Sequence, residues 1–302
     1  MENVCVLMST YNGEKFLEEQ LESILNQKGE FKLEILIRDD GSSDNTISIL
    51  KKYQSEEKIK FNAGKNLKPA RSFVELLKNA PDSDFYAFSD QDDFWMENKI
   101  ENALKKMKEQ ENELIVYFSN VKLVDKELNI LEHQNKIKKN TLAASFISSP
   151  AIGCTMVINR KMREKILEKD FSEREFGMHD SWIYRVGLSI DAAVIYDENS
   201  YIKYRQHENN VIGVKKNKNI FNVLTEIVKK RKKYKSYIAK NILDLYGDEV
   251  TIKNRRILNN LSKLSNSNKL KDKMNVIADK EFRSYSYKMN FMFIFDILRN
   301  NG

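Results

Sequence analysis

LEILIRDDGSSDNTISILKKY, residues 33–53, changes period within a single stretch. Residues 33–38 (LEILIR) read as a strand. An acidic Gly/Ser loop, Asp39 to Asp44, follows. It opens into a helix that carries Ile47 and Leu50. The same design lies on either side. Residues 4–8 (VCVLM) predict a strand and STYNG a loop, and Leu17, Leu21, Ile24 and Leu25 share one helical face with Asn12 as a candidate N-cap. A third unit places its helix at PARSFVELLKNA and its strand at 85–89. Strand–loop–helix alternation predicts an α/β fold, a parallel sheet with helices on both faces.

In such sheets ligands bind outside the carboxyl ends of the strands. The loops STYNGE, RDDGSSD and SDQDD all fall at those ends and are expected to converge on one crevice. YAFSDQDDFW (86–95) packs Asp90, Asp92 and Asp93 into four residues directly after a strand. That crowding costs repulsion and gives the strand nothing, so a bound cation is the natural purpose. Asp-x-Asp suits a hard divalent ion such as Mg²⁺ or Mn²⁺, which takes one or two carboxylates together with phosphate and water. The lack of a Cys or His cluster argues against zinc. The bland alternative is a solvated acidic turn.

From residue 114 the pattern changes. LIVYFSNVKLVD, IGCTMVI and AAVIYD read as strands with one clear helix around 180–188, so a mixed sheet is expected. Beyond about 215 the chain reads helical, basic and aromatic.

The chain has 302 residues, 41% of them hydrophobic, which supports a substantial core over about two domains. No apolar run approaches the roughly 20 residues of a spanning helix. The start, MENVCVLMST, lacks the basic and apolar regions of a secretory leader. Cys5 and Cys154 stand in apolar surroundings and read as buried free thiols of a reducing compartment. The net charge of +7 is uneven: residues 215–240 hold ten Lys/Arg and one Glu, a net of +9, leaving −2 elsewhere. One basic segment without a nucleic-acid motif points away from nucleic acid and towards an anionic membrane surface, or else a solvated helix.

VLMSTYNGEKFLEEQLESILNQ, EILIRDDGSSDNT and FSDQDDFW together resemble the N-terminal half of family 2 glycosyltransferases, which have the GT-A fold. MHDSWIYRVG and YRQHENNVIG resemble the bacterial rhamnosyltransferase-like subgroup. The resemblance spans about residues 3–213. It implies a Rossmann-like, mixed but mainly parallel sheet flanked by helices. The GT-A domain would cover 1–214, with a nucleotide-sugar half to about 112 and an acceptor half from 113, followed by a basic helical extension over 215–302.

The resemblance also implies roles. Thr10, Tyr11 and Glu14 would lie along the nucleotide, Asp39 would accept a pyrimidine ring N–H, and Arg71 would face the nucleotide side. Asp90 would approach ribose and metal. Asp92 would bind the metal, with His207 as a third ligand or a diphosphate contact. Asp180 would be the catalytic base of an inverting transfer. His179, Trp182 and Arg205 would stand on the acceptor side, Arg205 offsetting diphosphate charge. Plainer roles are open for several. Tyr11 packs, Asp40 and Asp44 brace the loop or cap its helix, Trp95 covers the loop, Asp180 caps its helix and His207 is structural.

The processive members' Gln-x-x-Arg-Trp motif is replaced by YRQHENN, so transfer of one sugar is expected. The implied reaction is metal-dependent transfer, favouring dTDP-rhamnose, to a saccharide or lipid-linked saccharide of the bacterial surface. UDP-glucose, UDP-galactose and UDP-N-acetylhexosamines are the alternative donors. The expected location is cytoplasmic, peripheral at the inner face of the plasma membrane. A nucleotidyltransferase would need a Gly-rich basic loop after the first strand, which STYNGE is not. A non-catalytic glycan-binding domain would not need Asp39, Asp90, Asp92 and Asp180 intact.

Overall fold

β1 (Glu2–Thr10) is the centre around which the first half is wound. It pairs in parallel with β2 (Phe31–Asp39) on one side and β4 (Phe85–Ser89) on the other, while β3 (Lys60–Ala63) extends the sheet beyond β2. The crossovers are α1 (Leu17–Leu25), α2 (Thr46–Ser55) and α3 (Lys68–Asn79). Val4 to Met8 are all buried because helices cover both faces, as a parallel sheet requires. The strand's period of two divides them. Val4, Val6 and Met8 join Leu17, Leu21, Ile24 and Leu50 in one core, whereas Cys5 and Leu7 join Phe73, Leu76 and Leu77 in the other. Cys5 and Cys154 are both free and buried, as expected.

The computed structural model describes residues 1–133, 140–207, 234–267, 269–284 and 286–299. Among them the second half adds β5 (Phe94–Trp95), α4 (Lys99–Lys108), β6 (Ile115–Val124), β7 (Ile130–His133), α5 (Leu142–Ile147), β8 (Val157–Asn159), α6 (Arg160–Leu167), α7 (His179–Ser189) and β9 (Ala193–Arg205). The strand order is β3-β2-β1-β4-β8-β6-β9-β5, with β7 beside β6. β8 is antiparallel to both β4 and β6, while β6 and β9 are parallel, so the sheet is mixed and mainly parallel. One sheet therefore runs through both halves.

IGCTMVI is not the single strand expected. Gly153–Thr155 forms a 3₁₀ turn, closed by the Thr155 hydroxyl donating to the Ile152 carbonyl at 2.8 Å. A Cβ on Gly153 would lie 3.0 Å from His179 Nε2, so the turn brings backbone against the start of α7. α5 and α6 are also additional to the one helix expected.

Among the described residues four helices follow: α8 (Tyr234–Tyr246), α9 (Ile252–Lys263), α10 (Leu270–Ala278) and α11 (Tyr287–Arg299). Ile238, Ile242, Leu258 and Leu261 belong to the same core as Trp182 and Val186 of α7. The expected helical extension is thus packed onto the sheet domain. Of the basic segment 215–240, residues 215–233 lie outside the described residues. No helix among the described residues is long and apolar enough to cross a membrane.

Candidate active site

The chain winds from β1 out to β2 and β3, then returns across β1 to β4. That reversal opens a crevice at the carboxyl ends of β1 and β4. Thr10 stands opposite Asp39 and Met8 opposite Ser89, so all three polar loops leave the sheet at this edge.

The first two loops are clasped together. Asp39 is fully buried, and its carboxylate accepts from Thr10 Oγ1 at 2.8 Å, the Gly41 and Ser42 N–H groups at 3.0 and 2.8 Å, and Ser42 Oγ at 2.6 Å. Asp44 accepts from the Glu14 N–H at 3.1 Å, and Glu14 returns the bond by accepting from the Asn45 N–H at 2.9 Å. Asp44 also accepts from the Thr46 N–H at 3.0 Å, so it braces the start of α2. Asp40 pairs with Arg38 and accepts from the Leu67 N–H.

Asn12 does not cap α1, whose N-cap is Phe16. It adopts φ +49°, which Asn tolerates better than most residues, and its Oδ1 accepts from the Ser43 N–H at 2.8 Å. The Tyr11 ring is half exposed above this clasp.

Gln91, the middle residue of Asp-x-Asp, was not singled out in the sequence. Its amide accepts from the Tyr11 N–H at 2.8 Å and donates to the Tyr11 carbonyl at 3.1 Å. A Cβ on Gly13 would fall 2.3 Å from Gln91 Oε1, so glycine is what admits this clamp. α1 holds the loop from beneath. Buried Gln20 donates to Ser89 Oγ at 2.8 Å, and Ser23 Oγ accepts from the Trp95 N–H at 3.0 Å. Polar residues among Leu17, Leu21 and Ile24 were the available signal.

The carboxylates are held from the far end of the sheet. β5 pairs with β9, and the Arg205 N–H donates to Asp93 Oδ1 at 3.1 Å. Arg205 is 1% exposed: Nε donates to the Asp92 carbonyl at 2.9 Å, while the guanidinium also reaches the Lys126 carbonyl and Glu19. It ties down the loop and does not line an acceptor surface. His207 Nε2 lies 2.7 Å from Asp92 Oδ2. Lys99 is buried with its ammonium 3.6 Å from the centre of the Trp95 ring, and burial brings its pKa down to about 7. Trp95 is buried and structural, as expected of a cover for the loop.

Burial, then the charges of Asp92 and Asp180, push Asp90 above the usual carboxylate range. Burial, then Asp92 and Asp90, raise Asp93 as well. Asp180, from the other half of the sheet, comes to the same edge: a Cβ on Gly153 would lie 3.4 Å from its Oδ2, and the sulfur of Cys154, the next residue, lies within 4.8 Å of Asp90. Asp180 lies at the second position of α7, where a negative charge is stabilised by the helix dipole. Met178 is the N-cap, so Asp180 does not have that role.

Asp92, with the His207 imidazole 2.7 Å away, and Asp90 two residues before it offer a mostly hard donor set under mutual repulsion, which fits Mg²⁺ or Mn²⁺. Asp93 and the Cys154 sulfur lie within 4.8 Å of Asp90 but are buried beneath the loop.

His179 is 3% exposed, stacked on Phe73 at 4.0 Å and tilted against Phe88 at 5.3 Å. Trp182, also expected at the acceptor side, is fully buried against Phe171 and Phe176 and serves the core. Arg71 reaches Glu173 at 3.7 Å, across to the loop before α7.

Burial takes the His179 pKa from 6.5 to about 4. The unfolded chain binds this proton first as pH falls, so stability is present above 6.5 and lost down to about 4. That loss is roughly 3 kcal/mol. His179→Phe is expected to weaken the fall in melting temperature between pH 7 and 4.5. An unchanged pH slope would contradict this account.

The fold and site define an enzyme of the GT-A type, which uses a nucleotide-sugar donor. The model of glycosyl transferase family 2 matches residues 5–171, and the chain belongs to that family. It is similar to a dTDP-rhamnosyl transferase, RfbG, of Shigella flexneri: 31% identical over 222 residues, 68% of this chain and 73% of that one. It is 27% identical to a GalNAc(5)-diNAcBac-PP-undecaprenol beta-1,3-glucosyltransferase of Campylobacter jejuni, over 68% of this chain and 71% of that one. Among solved structures, S. aureus TarS in complex with UDP-GlcNAc shares the fold with a TM-score of 0.56 at 16% identity, over 99% of this chain and 89% of that one.

Proposed function

We propose that this enzyme transfers one sugar, with inversion, from dTDP-rhamnose to a lipid-linked saccharide of bacterial surface-glycan assembly. The observation that carries this reading is the Gly153–Thr155 turn, which links Asp180 to the Asp loop: a Cβ on Gly153 would lie 3.4 Å from Asp180 Oδ2, and the next residue, Cys154, has its sulfur within 4.8 Å of Asp90.

Thr10, Tyr11 and Glu14 form the wall along the nucleotide. Asp39 takes the pyrimidine ring N–H as Ser42 Oγ gives way, and Arg71 flanks the donor. Asp92, Asp90 and His207 would hold Mg²⁺ or Mn²⁺, which supplies charge to offset the departing diphosphate. Asp180 accepts the acceptor hydroxyl proton as that oxygen attacks the anomeric carbon. His179 shapes the acceptor side without exchanging protons. The basic residues of 215–240 keep the enzyme peripheral at the inner face of the plasma membrane.

The rhamnose donor is supported by the Shigella relative's name, and the lipid-linked acceptor by the Campylobacter relative's. The latter, a glucosyltransferase by name, makes a glucose donor, here UDP-glucose, the second reading. With Mn²⁺ present, dTDP and UDP are expected to raise the melting temperature and ADP and GDP to leave it unchanged. Equal stabilisation by all four would remove the base-reading role of Asp39. Hydrolysis of UDP-glucose faster than of dTDP-rhamnose would install the second reading.

A further inference from the structure

α11 is apolar on two opposite sides. Phe293 and Ile297 face inward at 2% and 6% exposure, Phe293 stacked on Phe282 at 5.6 Å. Tyr287, Phe291 and Leu298 face outward at 92%, 70% and 45% exposure. Phe295 stacks on Phe291 at 6.5 Å. Positions 287, 291, 295 and 298 fall on one helical face. Beside it, α10 exposes Leu270 and Met274 at 66% and 46%. Lys273, next to Met274, donates to the Leu298 carbonyl at 3.1 Å and joins the two helices. A grouping of exposed aromatics on one face of a folded domain marks a contact surface.

Charge selects the occupant. The described helical residues, 234–299, hold 13 Lys/Arg against 7 Asp/Glu, a net of +6, whereas residues 1–214 carry −6. A second copy seated on this face would bring like charge against like. An anionic bilayer offers the opposite charge together with an apolar interior.

We infer that α11, with Leu270 and Met274 of α10, seats in the headgroup–acyl boundary of an anionic bilayer through Tyr287, Phe291 and Leu298. Interfacial helices combine such aromatic and aliphatic faces with flanking basic charge. The face is coupled to the catalytic crevice. Tyr234 of α8 packs on Gly177, where a Cβ would fall 1.7 Å from its hydroxyl, three residues before Asp180. Its neighbour Lys235 pairs with Asp296 of α11 at 2.8 Å and lies 4.8 Å from the centre of the Phe293 ring. Seating α11 thus fixes the acceptor side close to the membrane surface. Its purpose rests on the lipid-linked acceptor proposed above; the binding itself does not.

The test uses the full chain and vesicles of equal parts phosphatidylcholine and phosphatidylglycerol. Phe291→Ser with Leu298→Ser is expected to weaken vesicle binding about tenfold or more, leaving melting temperature and donor hydrolysis at the wild-type level. Phe291→Trp is expected to keep binding, and brominated acyl chains should quench its added emission but not that of buried Trp95 and Trp182. Undiminished binding by the Ser variant, or an unquenched Trp at 291, would overturn the inference. So would a wild-type dimer in light scattering that the Ser variant converts to monomer, since the face would then belong to a second copy. Failure of the donor reading would alter the nucleotide-sugar panel and leave vesicle binding as it is.

Discussion

Asp180→Asn is expected to lower transfer by about 10²–10⁴-fold, the usual cost of removing a general base, with nucleotide diphosphate affinity near wild type. The substitution preserves shape. Asp180 Oδ1 accepts from the Ser181 N–H at 2.5 Å, a bond that an Asn oxygen can also accept, so the start of α7 should survive. His179 is a poor substitute base. Its ring is enclosed by Phe73 and Phe88, and with a pKa of about 4 it holds an abstracted proton weakly. Calorimetry with UDP or dTDP and Mn²⁺, beside single-turnover transfer, separates binding from chemistry. Near-normal turnover by Asp180→Asn would remove Asp180 from the mechanism. A dead His179→Ala enzyme beside it would assign the base to the imidazole.

Asp92→Asn should fail in the opposite way. The Asp92 backbone carbonyl is still held by Arg205, so the loop keeps its course. What is lost is the charge next to His207. Removing partners outside a metal's immediate ligands typically costs 10–100-fold in affinity, so loss of a ligand should cost at least about 100-fold in metal-dependent donor binding. Transfer should vanish with it. Mn²⁺-dependent UDP affinity equal to wild type would show that Asp92 is not a ligand.

The Asp cluster after β4 was legible in the sequence, because carboxylates crowded behind an apolar run are a local signal, whereas Asp180, at the start of a helix, was singled out only through the family resemblance. The parallel core was legible for the same reason as the cluster: Val4–Met8 and Ile35–Ile37 are apolar runs that two-sided burial demands. β3 and β5 were not. One has four residues, mostly exposed, and the other has two, too few for any periodicity to register. Arg205 and Trp182 carried no marker of their surroundings. An arginine reads as a surface charge until a fold encloses it among carbonyls, and a tryptophan next to a catalytic motif reads as substrate-facing until Phe171 and Phe176 enclose it. Gln91 was invisible for a related reason, and Gln20 was marked only by its place among Leu17, Leu21 and Ile24. Their value lies in hydrogen bonds to residues 69 and 80 positions away.

The stitching of the Asp loop to β9 has a consequence for synthesis. Asp93 meets Arg205 across 112 positions and Asp92 meets His207 across 115. β1, β2 and β4 can pair while the ribosome is still making the second half, since domains generally fold N-terminal part first. The loop's clamps to Tyr11, Gln20 and Ser23 can form with them, but Asp92 and Asp93 gain Arg205 and His207 only once those residues have left the exit tunnel, and closure over such a distance is entropically slow. Completion of the Asp92–Asp93 loop is therefore the last event in building the sheet, and it waits until nearly all of that sheet has been translated.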